Sequence, residues 1–233
     1  MAGPAYRTVL IVGVGSGLSA SLARTFGKAG LNVALASRRG GELATLAKDI
    51  GGKGFACDAT HRGEVAKLFA DVEAALGTPD VVVYNASYRT RGSFVELDPD
   101  EVAKTLHVSA FGGFLVAQEA AKRMLPRGHG AILFTGASAS VKGYAQSAPF
   151  AMGKFALRGL AQSMARELSP QGIHVAHVVI DGGIRSARRA DPPDRPDSTL
   201  DPDAIAQTYL DLLRQDRSAW AWEIELRPWV ERF

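Results

Sequence analysis

Short runs of β-branched and apolar residues alternate along the chain with longer stretches whose apolar positions recur at helical spacing. Thr8 to Val14 (TVLIVGV) is the first run, and Leu18, Leu22 and Phe26 follow it on one helical face. Leu31 to Ala36 is the second, trailed by Leu43, Leu46 and Ile50. Gly54 to Cys57 is a weaker third, before Val65, Leu68, Phe69 and Val72. Pro79 to Asn85 (PDVVVYN), Ala131 to Thr135 and Ile173 to Ile180 (IHVAHVVI) follow. Long helical segments, Asp100 to Leu125 and Ser147 to Leu168, precede the last two, and Trp220 to Leu226 offers a final strand. Strands apolar at nearly every position are buried on both faces, as in a parallel sheet covered by helices. Their alternation with helices predicts right-handed crossovers and a doubly wound α/β sheet. No linker divides the chain, so residues 1–233 read as a single domain.

Composition narrows the class of function. With 233 residues and 46% hydrophobic content the chain can bury a sizeable core. A net charge of +3 lacks the basic stripe of a nucleic-acid binder. No apolar run reaches the ~18 residues of a spanning helix, so no membrane role is expected. The single Cys57 cannot form an internal disulfide, which with the absence of a secretory leader predicts a cytoplasmic protein. Residues 185–203 (RSARRADPPDRPDSTLDPD) are rich in Pro, Asp and Arg and read as an exposed, mobile loop before the last helix.

The candidate chemistry begins where the first strand must turn into the first helix, at Gly13-Val14-Gly15-Ser16-Gly17-Leu18-Ser19. Glycines there let backbone approach a pyrophosphate, and the helix N-terminus attracts the anion. A structural turn that binds nothing is the alternative. The second strand ends in Ser37-Arg38-Arg39 rather than the Asp or Glu that holds NAD ribose hydroxyls. A hydroxyl and two guanidinium groups suit a 2′-phosphate, which points to NADP(H). Arg39 alone could equally open the next helix in solvent.

Taken together these features resemble the short-chain dehydrogenase/reductase family, over nearly the whole chain. Against that family's T-G-x-x-x-G-x-G, Gly13 and Gly17 are in register, while Val12 replaces the Thr and Ser19 the last Gly. Cys57-Asp58-Ala59 resembles the acidic position that holds the adenine, and Tyr84-Asn85-Ala86-Ser87 the N-N-A-G after strand four. Asp181-Gly182-Gly183-Ile184-Arg185-Ser186 is similar to the P-G-x-x-x-T that cradles the nicotinamide. The resemblance implies a Rossmann-like sheet of about seven strands. It also implies a cofactor site comprising Gly13, Gly15, Ser16, Gly17, Leu18, Ser37, Arg38, Arg39, Asp58, Ala59, Asn85, Ala86, Ser87, Lys154, Gly182, Ile184 and Ser186. A small-molecule substrate and a homodimer or homotetramer are implied as well. The small and apolar residues on several sides of the two long helices call for such cover.

The catalytic positions depart from the family. Its Tyr-x-x-x-Lys reads here Phe150-Ala151-Met152-Gly153-Lys154, so the lysine is kept and the tyrosine is not. Ala137 stands at the family's serine, with Ser138 one place on and Ser140 further, and Ser109 stands where an Asn is usual. Phe150 has a ring but no proton to transfer, and a positioned general acid is worth about 10²–10⁴-fold. Lys154 speaks for ribose binding more than for chemistry. Three readings follow. Another group, Tyr144, Asp181 or Ser138, supplies the proton; or the substrate, such as an iminium, needs little acid help; or the protein binds NADP and is catalytically silent, as a sensor or partner subunit. The expectation is an atypical NADP(H)-dependent oxidoreductase acting on a small carbonyl, imine or activated C=C compound.

Smaller signals add less. His61, His107, His129, His174 and His177 show no metal spacing, so no metal is expected. His174 and His177, three apart on a strand, face opposite sides and read as packed or hydrogen-bonded. Arg185, Arg188, Arg189 and Arg195 could hold a carboxylate or phosphate, though Asp191, Asp194 and Asp197 among them favour a self-neutralised loop. Arg89 and Arg91 fall near the same cleft mouth. Three Trp in the tail, Trp220, Trp222 and Trp229, predict packing across a subunit contact in preference to a pocket wall.

Overall fold

The structure is a computed structural model that describes residues 6–186 and 189–230. Its centre is a seven-stranded parallel sheet. The strands are β1 (Thr8–Val12), β2 (Asn32–Ser37), β3 (Lys53–Ala56), β4 (Val81–Tyr84), β5 (Gly130–Thr135), β6 (Ile173–Ile180) and, last in the sheet, β9 (Glu223–Leu226). Two short strands, β7 (Gly183–Ile184) and β8 (Thr199–Leu200), pair separately. The helices are α1 (Leu18–Lys28), α2 (Ala44–Asp49), α3 (Arg62–Leu76), α4 (Pro99–Leu106), α5 (Gly112–Met124), α6 (Ala148–Leu168) and α7 (Pro202–Leu213).

The sheet order is β3-β2-β1-β4-β5-β6-β9. Chain direction through the sheet reverses between β1 and β4, and in such sheets a crevice opens at the carboxyl ends of those two strands. Successive side chains of β1 feed opposite cores, as a period of two requires. Leu10 and Val12 pack with Val65, Phe69, Val116 and Leu157 from α3, α5 and α6. Val9 and Ile11 pack with Leu22, Phe26, Ile205 and Leu213 from α1 and α7. The third strand read as weak because β3 is the sheet edge, with Lys53, Gly54 and Ala56 exposed.

The segment expected as a helix from Asp100 to Leu125 is helical without a break from 99 to 124, with a π-turn at His107–Phe111 between α4 and α5. The Gly112 N–H reaches back to the His107 carbonyl, while the Val108 carbonyl accepts from the Tyr84 hydroxyl at 2.5 Å. A buried phenol from the sheet has taken the carbonyl that the helix would otherwise use. Within the chain the three tail tryptophans have different surroundings. Trp220 stacks on His174 of its own chain at 4.7 Å, Trp222 is half-buried 5.6 Å from the Arg158 guanidinium, and Trp229 is 82% exposed. Inside the sheet, His177 meets Glu223 at 2.9 Å and Arg158 grips the same carboxylate at 2.6 and 2.7 Å, docking β9 onto β6. Both strand histidines are therefore packed and hydrogen-bonded, as expected.

Candidate active site

At the β1–β4 switch point lies a crevice of about 300 Å³ lined by Gly13, Gly15, Ser37, Arg38, Arg39, Asp58, Ala59, Asn85, Ala86 and Ser87. All were singled out from sequence. The same crevice also takes in Glu42, Thr60, Tyr88 and Val108, which were not. Thr60 was legible as the second residue after Asp58, a spacing that lets Asp accept from backbone ahead of it.

The glycine loop is built by local geometry. Gly13 has φ +88, and a Cβ there would lie 2.3 Å from the Ala86 nitrogen. The loop therefore lies directly on the end of β4, which only glycine permits. Around Gly15 and Gly17 a Cβ would meet nothing within 4 Å, so their bare backbone faces open space. Ser19, in place of the family's last glycine, clasps the loop. Its hydroxyl accepts from the Gly15 N–H at 3.1 Å and donates to the Gly13 carbonyl at 3.3 Å. The Asn85 amide donates to that carbonyl and to Ser19 Oγ, each at 3.2 Å. Asn85 is thus a brace of the loop as well as a lining residue.

Charge in the crevice is unevenly paired. Arg39 forms an exposed ion pair with Glu42 at 2.9 Å, whereas Arg38 has no carboxylate within ion-pair distance among the described residues. Asp58 accepts from the Thr60 N–H at 2.9 Å and its hydroxyl at 2.7 Å. Burial would raise its carboxyl, but these two donors with the His61 and Arg38 charges outweigh that and hold it below its usual range.

Lys154 is 3% exposed on α6, and its Nζ donates to the Thr135 carbonyl at 2.8 Å. Burial pushes its amine down to about 8. An amine whose folded value lies below its unfolded one binds fewer protons when folded. Stability from this group therefore rises with pH between about 8 and the ordinary lysine value, and is lowest below that window. Unfolding free energies of the wild type relative to Lys154→Met, from urea denaturation, are expected to climb by at most about 1.4 kcal/mol per pH unit there. A flat difference would mean that the amine is not desolvated.

Phe150, one helical turn before Lys154, has the Arg89 guanidinium 4.6 Å and the Lys154 ammonium 5.8 Å from its ring centroid. Ser109 is fully buried in the π-turn, exchanging weak hydrogen bonds of 3.3–3.4 Å with the Tyr88 backbone, and it packs on Gly153. It does not reach Lys154 Nζ, whose one hydrogen bond goes to Thr135. Ser138 and Tyr144 line a second cavity of about 270 Å³ with Arg89, Arg91 and Ser147. Asp181 is buried at the end of β6, 3.1 Å from Lys142 and 3.6 Å from Arg227. Gly182 lies against Pro228 and Leu200, Ile184 pairs with Leu200 in the short sheet, and Ser186 exchanges backbone bonds with Arg189. These three, with Ser16, Gly17 and Leu18, do not line the first crevice. Arg188 lies outside the described residues. Among those residues no group of three or more His, Cys, Asp or Glu could hold a metal, and no helix is long and apolar enough to cross a membrane.

Comparison with known proteins agrees with this architecture. The 3-oxoacyl-[acyl-carrier-protein] reductase MabA of Mycobacterium avium is 31% identical over 174 residues, 72% of this chain and 68% of that protein. The crystal structure of a short-chain dehydrogenase from Rhodopseudomonas palustris superposes with TM-score 0.83 at 35% identity, covering 97% of this chain and 100% of that one. A metagenomic short-chain oxidoreductase in complex with NADP gives TM-score 0.81 at 26% identity, covering 95% and 97%. The family model described as short chain dehydrogenase matches residues 7–193, and the chain belongs to the short-chain dehydrogenase family.

Proposed function

We propose that the protein is an NADP(H)-dependent oxidoreductase acting on a small organic carbonyl, imine or activated C=C compound, without the family's tyrosine as acid–base. The observation that carries this reading is the crevice itself. It joins a glycine loop with open space over Gly15 to a guanidinium, Arg38, that has no ion-pair partner among the described residues. Both fit a cofactor bearing a pyrophosphate and a 2′-phosphate. The NADP held by the metagenomic relative is in line with this.

In this reading the amides of Ser16, Gly17 and Leu18 receive the pyrophosphate, while Gly13 and Gly15, whose own N–H groups bond to Ala36 and Ser19, shape the loop that holds it. Arg38, Ser37 and more weakly Arg39 take the 2′-phosphate. Asp58 with Ala59 holds the adenine, and Asn85, Ala86 and Ser87 flank the ribose. Lys154 binds the nicotinamide ribose, and Gly182, Ile184 and Ser186 hold the carboxamide side. The nicotinamide supplies or accepts the hydride when bound. The chain's own contribution is position and, from Ser138 and Tyr144, hydrogen bonds to the reacting group. Asp181 is engaged by two cations and takes no part.

Arg38→Ala tests the reading. NADPH affinity measured by calorimetry is expected to fall about 10–100-fold, with NADH little changed, because only the phosphate loses its charged partner. Arg39→Ala is expected to cost less, since Glu42 already engages that side chain. Equal losses for both cofactors would remove the 2′-phosphate assignment. Tight NADPH binding without turnover on ketone, imine and enone panels would instead make the protein a silent cofactor binder.

A further inference from the structure

We infer that the second cavity is an oxyanion subsite, which holds a carboxylate or phosphate group of the substrate between Arg89, Arg91 and the N-terminus of α6. This rests on the reading of the adjoining crevice as a cofactor site, which makes this cavity the substrate's.

Cations around the cleft fall into two sets. Lys142 and Arg227 share Asp181, Arg227 also meets Glu225, and Arg185 stands 3.5 Å from Asp191 and 3.6 Å from Asp201. Those charges are spent inside the protein. Arg89, Arg91 and Arg189 make no ion pair among the described residues. Arg89 and Arg91 line the cavity, and the Arg189 side chain lies across Gly183, where a Cβ would come within 3.0 Å of it. Burial first, then the like charges of Arg91 and Arg189, hold the Arg89 guanidinium below its ordinary value. In the loop expected to neutralise itself, Asp191 meets Arg185, and Arg189 makes no ion pair among the described residues.

Independent features of the same cavity also ask for an anion. Ser147, one of its lining residues, is 2% exposed, and its Oγ is buried without a hydrogen-bond partner. A buried hydroxyl left unpaired is costly unless something completes it. Ser147 is also the N-cap of the 21-residue helix α6, whose first turn contains no acidic residue. Pro149 in that turn has no N–H, which leaves the Ala148 and Phe150 amides without an intrahelical partner, and the helix dipole is positive there. Gln146, beside it, holds a left-handed φ of 58, a conformation that non-glycine residues keep where the surroundings demand it. Arg89 itself is stacked on Phe150, so the anion would be fixed next to the position of the missing phenol. A substrate carrying its own oxyanion is then oriented by charge, with Ser138 and Tyr144 facing its remaining polar atoms.

The probes are benzoate and phenyl phosphate, with benzamide as the neutral counterpart, titrated calorimetrically into protein saturated with NADPH and into protein alone. The anions are expected to bind at least about tenfold more tightly than benzamide. That preference should disappear in Arg89→Gln/Arg91→Gln, both exposed positions whose replacement leaves the fold intact, and weaken in Ser147→Ala. Whichever anion binds more tightly identifies the group as carboxylate or phosphate. Equal binding of anion and amide, or a preference that survives the double variant, overturns the inference. Failure of the cofactor reading shows separately, as absent NADPH uptake while the probe preference persists.

Discussion

Phe150→Tyr is expected to raise NADPH-dependent reduction of simple ketones by about 10²–10⁴-fold, the range a positioned general acid supplies. The substitution adds one oxygen to a ring that already lies 4.6 Å from a guanidinium and 5.8 Å from an ammonium. Both cations favour the phenolate and so draw the new hydroxyl's pKa down toward working pH. Lys154 is in place on the same face of α6, one turn on, and its amine is already pushed down to about 8 by burial. The serine position is not restored by this change, because Ala137 stands there. Ala137→Ser in the same background is expected to add a further increment by giving the substrate oxygen a second hydrogen bond. The loss of NADPH absorbance over a ketone panel reads both variants. If kcat/KM stays at the wild-type level in the double variant while NADPH still binds, the missing phenol is not what limits ketone chemistry in this site.

The reach of the sequence follows from which interactions are local. Strand positions emerged from burial on both faces, and β3 read weakly for the physical reason that it is an edge. The glycine loop and Asp58 were legible because their chemistry sits within a few residues of a strand end. Ser19 was legible only as a departure from pattern. That its hydroxyl replaces a glycine by clasping Gly13 and Gly15 depends on Asn85, 66 residues away. The Arg89 stack on Phe150 is long-range in the same way, and it changes the meaning of the lost tyrosine. The π-turn was hidden because its cause, the Tyr84 hydroxyl on Val108, belongs to another element. Glu42 could have been found from its i+3 spacing to Arg39, and its ion pair distinguishes Arg39 from Arg38.

Gly13→Ala and Gly15→Ala are expected to fail in different ways, although only Val14 separates them in one loop. At Gly13 a methyl group meets the Ala86 backbone nitrogen at 2.3 Å and its Cα at 2.4 Å, from a backbone at φ +88. Backbone cannot give way as a flexible side chain can, so the loop must lift off β4 or the strand end must shift. Overpacking with a disfavoured dihedral should cost about 2–4 kcal/mol of stability, read as a lower urea midpoint. Cofactor affinity should fall with it, because the displaced Gly13 carbonyl is also the acceptor for Asn85 and Ser19. At Gly15 the same methyl group meets no protein atom within 4 Å, so the unfolding free energy from urea denaturation should move by no more than about 0.5 kcal/mol. Its effect should appear only on binding. A phosphate that reaches bare backbone through that space is pushed away by a Cβ, with an expected loss of about tenfold or more in NADPH affinity. A folded, fully stable Gly15→Ala protein that binds NADPH as tightly as the wild type would show that the pyrophosphate does not lie over this loop. The two variants together thus separate a glycine required by the polypeptide from one required by its ligand.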